Sequence, residues 1–220
     1  MKNIIFIAPP AAGKGTQAKK LSEKYNIPHI STGDLLREET SKDTDLGKKI
    51  KQIMETGAFV SDDIITTLLK NRLSLSDCNN GYILDGYPRN IEQAKIYEDL
   101  LKELNKDLGI VIFLDIDKDL AMERTLSRIV CPKCGTSYNL IVEELKPKVE
   151  NICDKCNTEL NVRNDDNKQT FITRFDTYMD KTQSLIDYYK GKKVLKVVEV
   201  LKELSAEEIF KSIEEIINND

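Results

Sequence analysis

Ile4-Ile5-Phe6-Ile7-Ala8-Pro9-Pro10-Ala11-Ala12-Gly13-Lys14-Gly15-Thr16 joins an apolar run to a turn of prolines and small residues, and the helix-like segment Gln17 to Tyr25 follows at once. Strand, phosphate loop and helix in that order predict a nucleoside triphosphate site. The backbone N–H groups of the loop and the helix N-terminus cradle polyphosphate oxygens, Lys14 reaches the β- and γ-phosphates, and Thr16 stands near Mg²⁺. Ala8 occupies the place of the first glycine of the template, and Gly15 follows the lysine where Ser or Thr is usual. A βα turn that holds no ligand would resemble these residues taken alone, so the context decides. A leader peptide is the other reading of Met1 to Ala12; it is set aside because cleavage there would remove the first strand and half of the loop.

Outward from the loop, apolar β-branched runs recur at Tyr82–Asp85, Ile110–Ile116 and Val194–Val200, with a short one at Ile27–Ile30. Between them Thr16–Tyr25, Asp62–Leu75, Asn90–Asn105, Asp117–Ser127 and Asp166–Tyr189 carry apolar residues at helical spacing, and Ser205–Asn218 closes the chain in the same way. Alternating β and α segments with near-continuous apolar strands predict an α/β fold with a parallel sheet covered on both faces. Ligands of such sheets lie beyond the carboxyl ends of the strands, where Ala8 enters the loop and Asp85 enters Gly86. Two stretches break the alternation. Residues 31–60 give short helices at Gly33–Glu39 and Leu46–Glu55 with no strand between, and residues 127–164 give β-like pieces and polar turns; each reads as an insertion.

The chain has 220 residues, enough for one sizeable core with small inserted subdomains. Its 33 basic and 37 acidic residues leave a formal charge of -4, which disfavours nucleic acid as a partner, and no stretch is apolar enough to predict a membrane span. Four of five cysteines form Cys131-Pro132-Lys133-Cys134 and Cys153-Asp154-Lys155-Cys156, with eighteen residues between the pairs. Each CxxC presents two thiolates from one tight turn, and the spacing predicts a structural Zn²⁺ held by Cys131, Cys134, Cys153 and Cys156. With no secretory signal, the cysteines predict a reduced, cytoplasmic setting. Cys78 has no partner spacing and reads as a buried or partly buried free thiol.

In Asp85-Gly86-Tyr87-Pro88-Arg89 a carboxylate ends a buried strand, glycine permits close backbone approach, and an arginine projects from the next turn. Asp85 is suited to hold Mg²⁺ through water, and Arg89 to bind a phosphate bidentately. Pro9 to Ala18, Ser31-Thr32-Gly33-Asp34-Leu35-Leu36-Arg37, Asp85 to Asn90 and Arg163-Asn164-Asp165-Asp166 together resemble the adenylate kinase family, in its long bacterial form with a zinc-bearing LID. The order and spacing match along essentially the whole chain.

That resemblance implies a P-loop NTPase-type parallel five-stranded CORE (1–30, 61–126 and 165–220), an NMP-binding insertion (31–60) and a LID (127–164). It implies Mg²⁺-dependent, reversible transfer from ATP to AMP giving two ADP. Ala11, Ala12, Gly13, Lys14, Gly15 and Thr16 would hold ATP, with Arg124 against the adenine, Arg128 on the phosphates, and Ser137 and Tyr138 on the ATP side of the LID. Thr32, Arg37, Ala58, Phe59, Val60, Gly86, Tyr87, Pro88, Arg89 and Gln93 would hold AMP, while Arg163 and Arg174 complete the clamp around the transferring group. Partners would be the nucleotides ATP, AMP and ADP, and the chain would act as a monomer. A pyrimidine monophosphate kinase would differ at Thr32 and Gln93 and have a short LID; a zinc-ribbon nucleic-acid module with an inactive loop would not keep Lys14, Arg89 and Arg163 in an acidic chain.

Three departures from the family pattern remain. Ala8 and Ala11 replace loop glycines, and both are expected at negative φ, with Gly13 and Gly15 serving the turn and the phosphate approach. Ile129 replaces a second LID arginine, and Val198–Ser205 lacks the usual glycine turn, so the adenine-contacting backbone there has no assigned place. Asp165 and Asp166 are expected to cap the following helix and pair with LID arginines, and His29 reads as structural.

Overall fold

The computed structural model describes residues 2–55, 60–163 and 166–219. Ala58 and Phe59, expected at the AMP site, lie outside the described residues, as do Asn164 and Asp165. Five strands, β1 (Ile4–Ile7), β2 (His29–Ser31), β3 (Ile83–Asp85), β4 (Ile110–Ile116) and β7 (Leu195–Val200), form a parallel sheet in the order β2-β3-β1-β4-β7. All four residues of β1 are buried, because β1 is central: Ile4 pairs with Ile83 on one side and with Ile110 on the other. A strand covered on both faces has no need of alternation, which is why it reads as a continuous apolar run. β3 and β1 end together, Phe6 opposite Asp85, so the phosphate loop and the Asp85-Gly86 turn leave the same edge of the sheet.

The described residues hold eight α-helices: α1 (Lys14–Tyr25), α2 (Thr32–Thr40), α3 (Asp45–Glu55), α4 (Asp62–Leu73), α5 (Ile91–Glu103), α6 (Lys118–Leu126), α7 (Lys168–Gly191) and α8 (Ala206–Asn219). Their starts carry the expected chemistry. Asn90 Oδ1 accepts from Gln93 N at 2.8 Å to cap α5, Asp117 Oδ1 accepts from Asp119 N and Leu120 N to cap α6, and Ser205 and Glu208 form a reciprocal capping box on α8. The α7 cap differs from expectation: Asn167 Oδ1 accepts from Thr170 N at 2.9 Å, while Asp166 is committed to Arg128. Gly109, at φ +78, precedes β4 where a Cβ would lie 2.1 Å from Asn3 O, so this entry to the sheet requires glycine.

By contacts the chain divides into two compact units. One comprises residues 1–7, 14–113 and 181–196, and the other residues 8–13, 114–180 and 197–220. The second contains a two-stranded antiparallel ribbon, β5 (Arg128–Val130) with β6 (Ser137–Asn139), in which Ile129 faces Tyr138. Ile129, Cys131, Tyr138, Cys153 and Leu160 form its small core, so Ile129 serves packing.

Candidate active site and metal centre

In the first unit Lys14 is the first residue of α1, directly after Gly13 at φ +92. Its Nζ lies 3.6 Å from Asp85 Oδ1, and His29 Nε2 lies 3.5 Å from Asp85 Oδ2. Burial alone would raise the Asp85 carboxyl; Lys14 and His29 outweigh it and hold the group below the ordinary carboxylate range. A carboxylate kept ionised at the end of a strand fits the water-mediated Mg²⁺ role. His29, read from sequence as structural, is thus a neighbour of the charged centre; β2 pairing with β3 in register, His29 with Ile83 and Ser31 with Asp85, brings it there.

The next turn forms a second cluster. Thr32 is buried and its hydroxyl donates to Gly86 O at 3.2 Å, while Gly86, at φ +82, would bring a Cβ to 3.1 Å from that hydroxyl. Arg89 Nε donates to Gly86 O at 2.8 Å, and Arg89 N donates to Gln93 Oε1 at 2.8 Å. Gln93 Nε2 in turn donates to Asp62 Oδ1 at 2.7 Å. Tyr87, followed by a cis bond to Pro88, is buried with its ring edge-on to Tyr97, and Val60 is buried. Arg37 is exposed on α2 and pairs with Asp34. Thr32, Gly86, Arg89 and Gln93 are therefore one connected network. Asp62 belongs to it and was missed from sequence, because a carboxylate in the first turn of a helix reads as a charge favourable to the helix dipole.

In the second unit the loop itself corrects one expectation. Ala12 N donates to Pro9 O at 3.4 Å, and Ala11, the third residue of that turn, has φ +62. Proline at the second position fixes φ near −65°, and a positive φ at the third position then defines a type II turn, which favours glycine there. Ala11 is thus left-handed, contrary to the expectation of negative φ, whereas Ala8 is not among the positive-φ residues. Gly15 lies within α1 without positive φ, so only Gly13 carries the conformational demand assigned to both.

The two alanines are consequently expected to respond in opposite directions. Ala11→Gly relieves about 1–2 kcal/mol of left-handed strain and costs about 0.4–1 kcal/mol in unfolded-state entropy, for a net gain of about 0.5–1 kcal/mol. Ala8→Gly gains nothing and loses about 0.4–1 kcal/mol. Denaturant midpoints at unchanged m-value check both, and movement of the two variants in the same direction contradicts the turn assignment.

Arg124 is buried on α6 and lines a cavity of about 390 Å³, together with Leu120, Val142, Glu144, Lys202 and Leu204. Its Nε is buried with no hydrogen-bond partner, and burial lowers the guanidinium from its ordinary value. The cavity rim is fastened at two points: Lys202 Nζ lies 3.1 Å from Glu123 Oε2, and Glu144 Oε2 accepts from Ala206 N, at the start of α8, at 2.9 Å. Residues Lys202–Ser205, which sequence alone left without a place, form one wall.

Arg128 is engaged with Asp166, Nε to Oδ2 at 2.8 Å and Nη2 to Oδ1, and the Asp166 side chain is fully buried. Ser137 is exposed on β6; Tyr138 is buried, its hydroxyl donating to Cys153 Sγ at 3.5 Å and accepting from Asp154 N at 2.8 Å. Arg163 follows the bridge of Asn161 to Val130, and Arg174 lies on α7; both are exposed. Arg72, left unassigned, pairs with Asp77 and reaches Cys78 Sγ, and Cys78 is a buried free thiol as expected.

The four ribbon thiols lie within 4.8 Å of one another. Cys131 and Cys156 approach to 3.4 Å and Cys134 and Cys153 to 3.5 Å, close to the roughly 3.8 Å edge of a tetrahedron with Zn–S bonds of about 2.3 Å. Two equivalent turns build the site. Gly135 N donates to Cys131 O and Asn157 N to Cys153 O, Gly135 and Asn157 both have positive φ, and Cys131 N and Cys153 N donate to Thr136 O and Thr158 O. The Tyr138 hydroxyl lowers the Cys153 thiol to about 6, whereas burial pushes Cys131 up to about 11. The donor set and geometry fit a structural zinc.

A parallel sheet, a phosphate loop and the Lys14–Asp85 pair at the strand ends define an α/β fold of the P-loop nucleotide-binding class. The sequence pattern of the family described as "Adenylate kinase" matches residues 6–194. Relatives named adenylate kinase include those of Thermotoga neapolitana, 46% identical over 90% of each chain, and Archaeoglobus fulgidus, 46% identical over 98% of this chain and 97% of its own. That of Clostridium tetani is 42% identical over 98% of both. The chain belongs to the adenylate kinase family, whose enzymes transfer a phosphoryl group between ATP and AMP.

Proposed function

We propose that this protein catalyses ATP + AMP ⇌ 2 ADP by in-line transfer within a clamp of lysine, arginine and Mg²⁺. The observation that carries the reading is the pairing of Lys14 with an ionised Asp85 beside the network of Thr32, Gly86, Arg89 and Gln93. The AMP phosphate is already ionised, so no general base is required. What the reaction needs is positive charge around the transferring group and exclusion of water, because hydrolysis of ATP competes. Lys14, Arg89, Arg128, Arg163 and Arg174 supply the charge. Asp85, through water, and Thr16 would hold Mg²⁺, which would neutralise charge on the phosphates.

Gly13 to Thr16, with Ala11 and Ala12, hold the ATP phosphates; Arg37, Arg89, Arg163 and Arg174 hold the AMP phosphate; and Thr32, Val60 and Gln93 face its base. The cavity lined by Arg124 takes the adenine of ATP; the buried Arg124 Nε without a hydrogen-bond partner and the wall of Lys202–Ser205 support this reading. The pair Arg128–Asp166 opens when Arg128 turns to phosphate. Residues 31–60 act as the AMP-binding domain and 127–164 as the zinc-bearing LID over a CORE of 1–30, 61–126 and 165–220. The enzyme works as a cytoplasmic monomer; no helix among the described residues is long and apolar enough to cross a membrane.

A coupled assay of ADP formation from Mg·ATP with AMP, CMP, UMP and GMP in turn tests the reading. AMP is expected to give the highest kcat/KM, by at least about tenfold, because a base lacking the matching edge leaves buried polar groups unpaired. Equal or better rates with CMP or UMP would sink it.

A further inference from the structure

The side-chain amide of Gln93 is buried and held at both ends: Oε1 accepts the backbone N–H of Arg89 at 2.8 Å, and Nε2 donates to Asp62 Oδ1 at 2.7 Å. A backbone N–H can only donate, and a carboxylate accepts, so both neighbours dictate one orientation of the amide. Exchanging its O and N would set donor against donor at Arg89 and acceptor against acceptor at Asp62. After these two bonds one N–H and one oxygen lone pair of the amide remain to spend.

That remaining donor and acceptor have a fixed order, and the two purine edges differ in order. Adenine offers N1 as acceptor and its 6-amino group as donor. Hypoxanthine and guanine offer N1–H as donor and O6 as acceptor, so they are matched by the same amide only if it flips. We propose that Asp62 is a positioning residue for base selection: by fixing the Gln93 amide it makes the monophosphate site take an adenine edge and reject a 6-oxopurine edge. The proposal rests on the reading of Gln93 as the base contact of AMP. Asp62 acts through Gln93 and touches no base itself.

The position of Asp62 suits this task. It is the first residue of α4, which packs against α5, the helix that carries Gln93, so a helix terminus supports the carboxylate. Gln93 is in turn fixed at the other helix start, its own N–H bonded to Asn90 Oδ1. Two helix starts therefore set one amide.

The test compares kcat/KM for AMP and for inosine monophosphate as acceptors from Mg·ATP. Asp62→Ala is expected to lower the AMP-to-inosine monophosphate ratio by about tenfold, because one of two penalties against the flipped amide is gone. The change should lie in KM for the monophosphates and not in KM for ATP. Asp62→Asn, whose amide can turn with that of Gln93 and donate to its oxygen, should lower the ratio as well. An unchanged ratio in Asp62→Ala, with both acceptors falling in parallel, overturns the proposal and leaves Asp62 a packing role. Should Asp62→Ala fail to fold, the nearly isosteric Asp62→Asn decides, and an unchanged ratio there overturns the proposal. A wild-type protein that uses both monophosphates equally would instead defeat the reading of Gln93 as the base contact.

Discussion

Lys14→Met is expected to fold and to lose about 10³-fold in kcat. The side chains are similar in length, so the substitution removes little but charge. A cation on the transferring phosphates gains strength in the transition state, where charge spreads over the equatorial oxygens in a site that excludes water. Loss of one such group costs on the order of 10²–10³ in rate, or about 3–4 kcal/mol. The loss should appear in kcat more than in KM, since it concerns the transition state. A variant within about threefold of wild-type turnover would refute a catalytic role for the phosphate loop.

The same substitution makes a stability statement through Asp85. Lys14 is the strongest of the influences that hold this carboxyl below its ordinary range, with His29 the remaining one. A group whose folded pKa is depressed contributes stability that is complete above the unfolded value, near ~4, and is lost as pH falls through the folded value. Without Lys14 the depression shrinks, and the variant should be less stable than the wild type at neutral pH. Its acid unfolding should also begin at higher pH than that of the wild type. An acid-unfolding midpoint that does not move would mean that the 3.6 Å pair contributes nothing to the fold.

The sheet was legible in sequence because β1 and β4 are covered on both faces and carry unbroken apolar runs. The second strand was displaced: Ile27–Ile30 was expected, and β2 is His29–Ser31. Pro28 has no N–H to give, yet its carbonyl accepts from Ile83 N at 2.9 Å, so pairing begins beside proline and strand geometry only after it. The phosphate loop was legible as a motif but not in its dihedrals. Its left-handed residue follows from Pro10 standing second in a turn, a signal present in Pro9-Pro10-Ala11-Ala12 that a comparison with glycine templates obscures.

Side-chain partners were the least legible layer. Asp62 stands thirty-one positions from Gln93, and no local pattern connects them. Tyr138, expected on the ATP side of the LID, spends its hydroxyl on Cys153 and Asp154 inside the ribbon. The wall formed by Lys202–Ser205 was obscured by the missing glycine, although the capping box Ser205-Ala206-Glu207-Glu208 marked where α8 begins. The metal site was the opposite case. Cys-Pro-Lys-Cys-Gly-Thr and Cys-Asp-Lys-Cys-Asn-Thr encode the same turn twice, with a left-handed Gly or Asn after the second cysteine and a threonine carbonyl returning to the first.

Zinc removal is expected to have the second-largest effect, on stability and not on chemistry. The ribbon's apolar core consists of Ile129, Tyr138 and Leu160 around the cysteines, while Leu140, Ile141, Val149 and Val162 are exposed. So few buried side chains cannot offset the backbone entropy of ordering a segment of this size, and a metal must supply the difference. One Zn²⁺ per chain is expected in protein purified without chelator, and less than about half an equivalent of any metal would count against the site. Stripping the metal with a thiol-specific mercurial plus chelator should melt the ribbon first, with amide exchange accelerating at Ile129, Cys131 and Tyr138. If the ribbon contributes about 3–5 kcal/mol, the main thermal midpoint should fall by about 10 °C. Cys153→Ser should act more severely than Cys134→Ser, because Cys153 is buried and receives the Tyr138 hydroxyl whereas Cys134 is exposed. Residual turnover in partly stripped protein is compatible with a structural ion, since no step of the transfer passes through it. Full removal with an unchanged midpoint and unchanged exchange would show that the four thiols hold no structural metal.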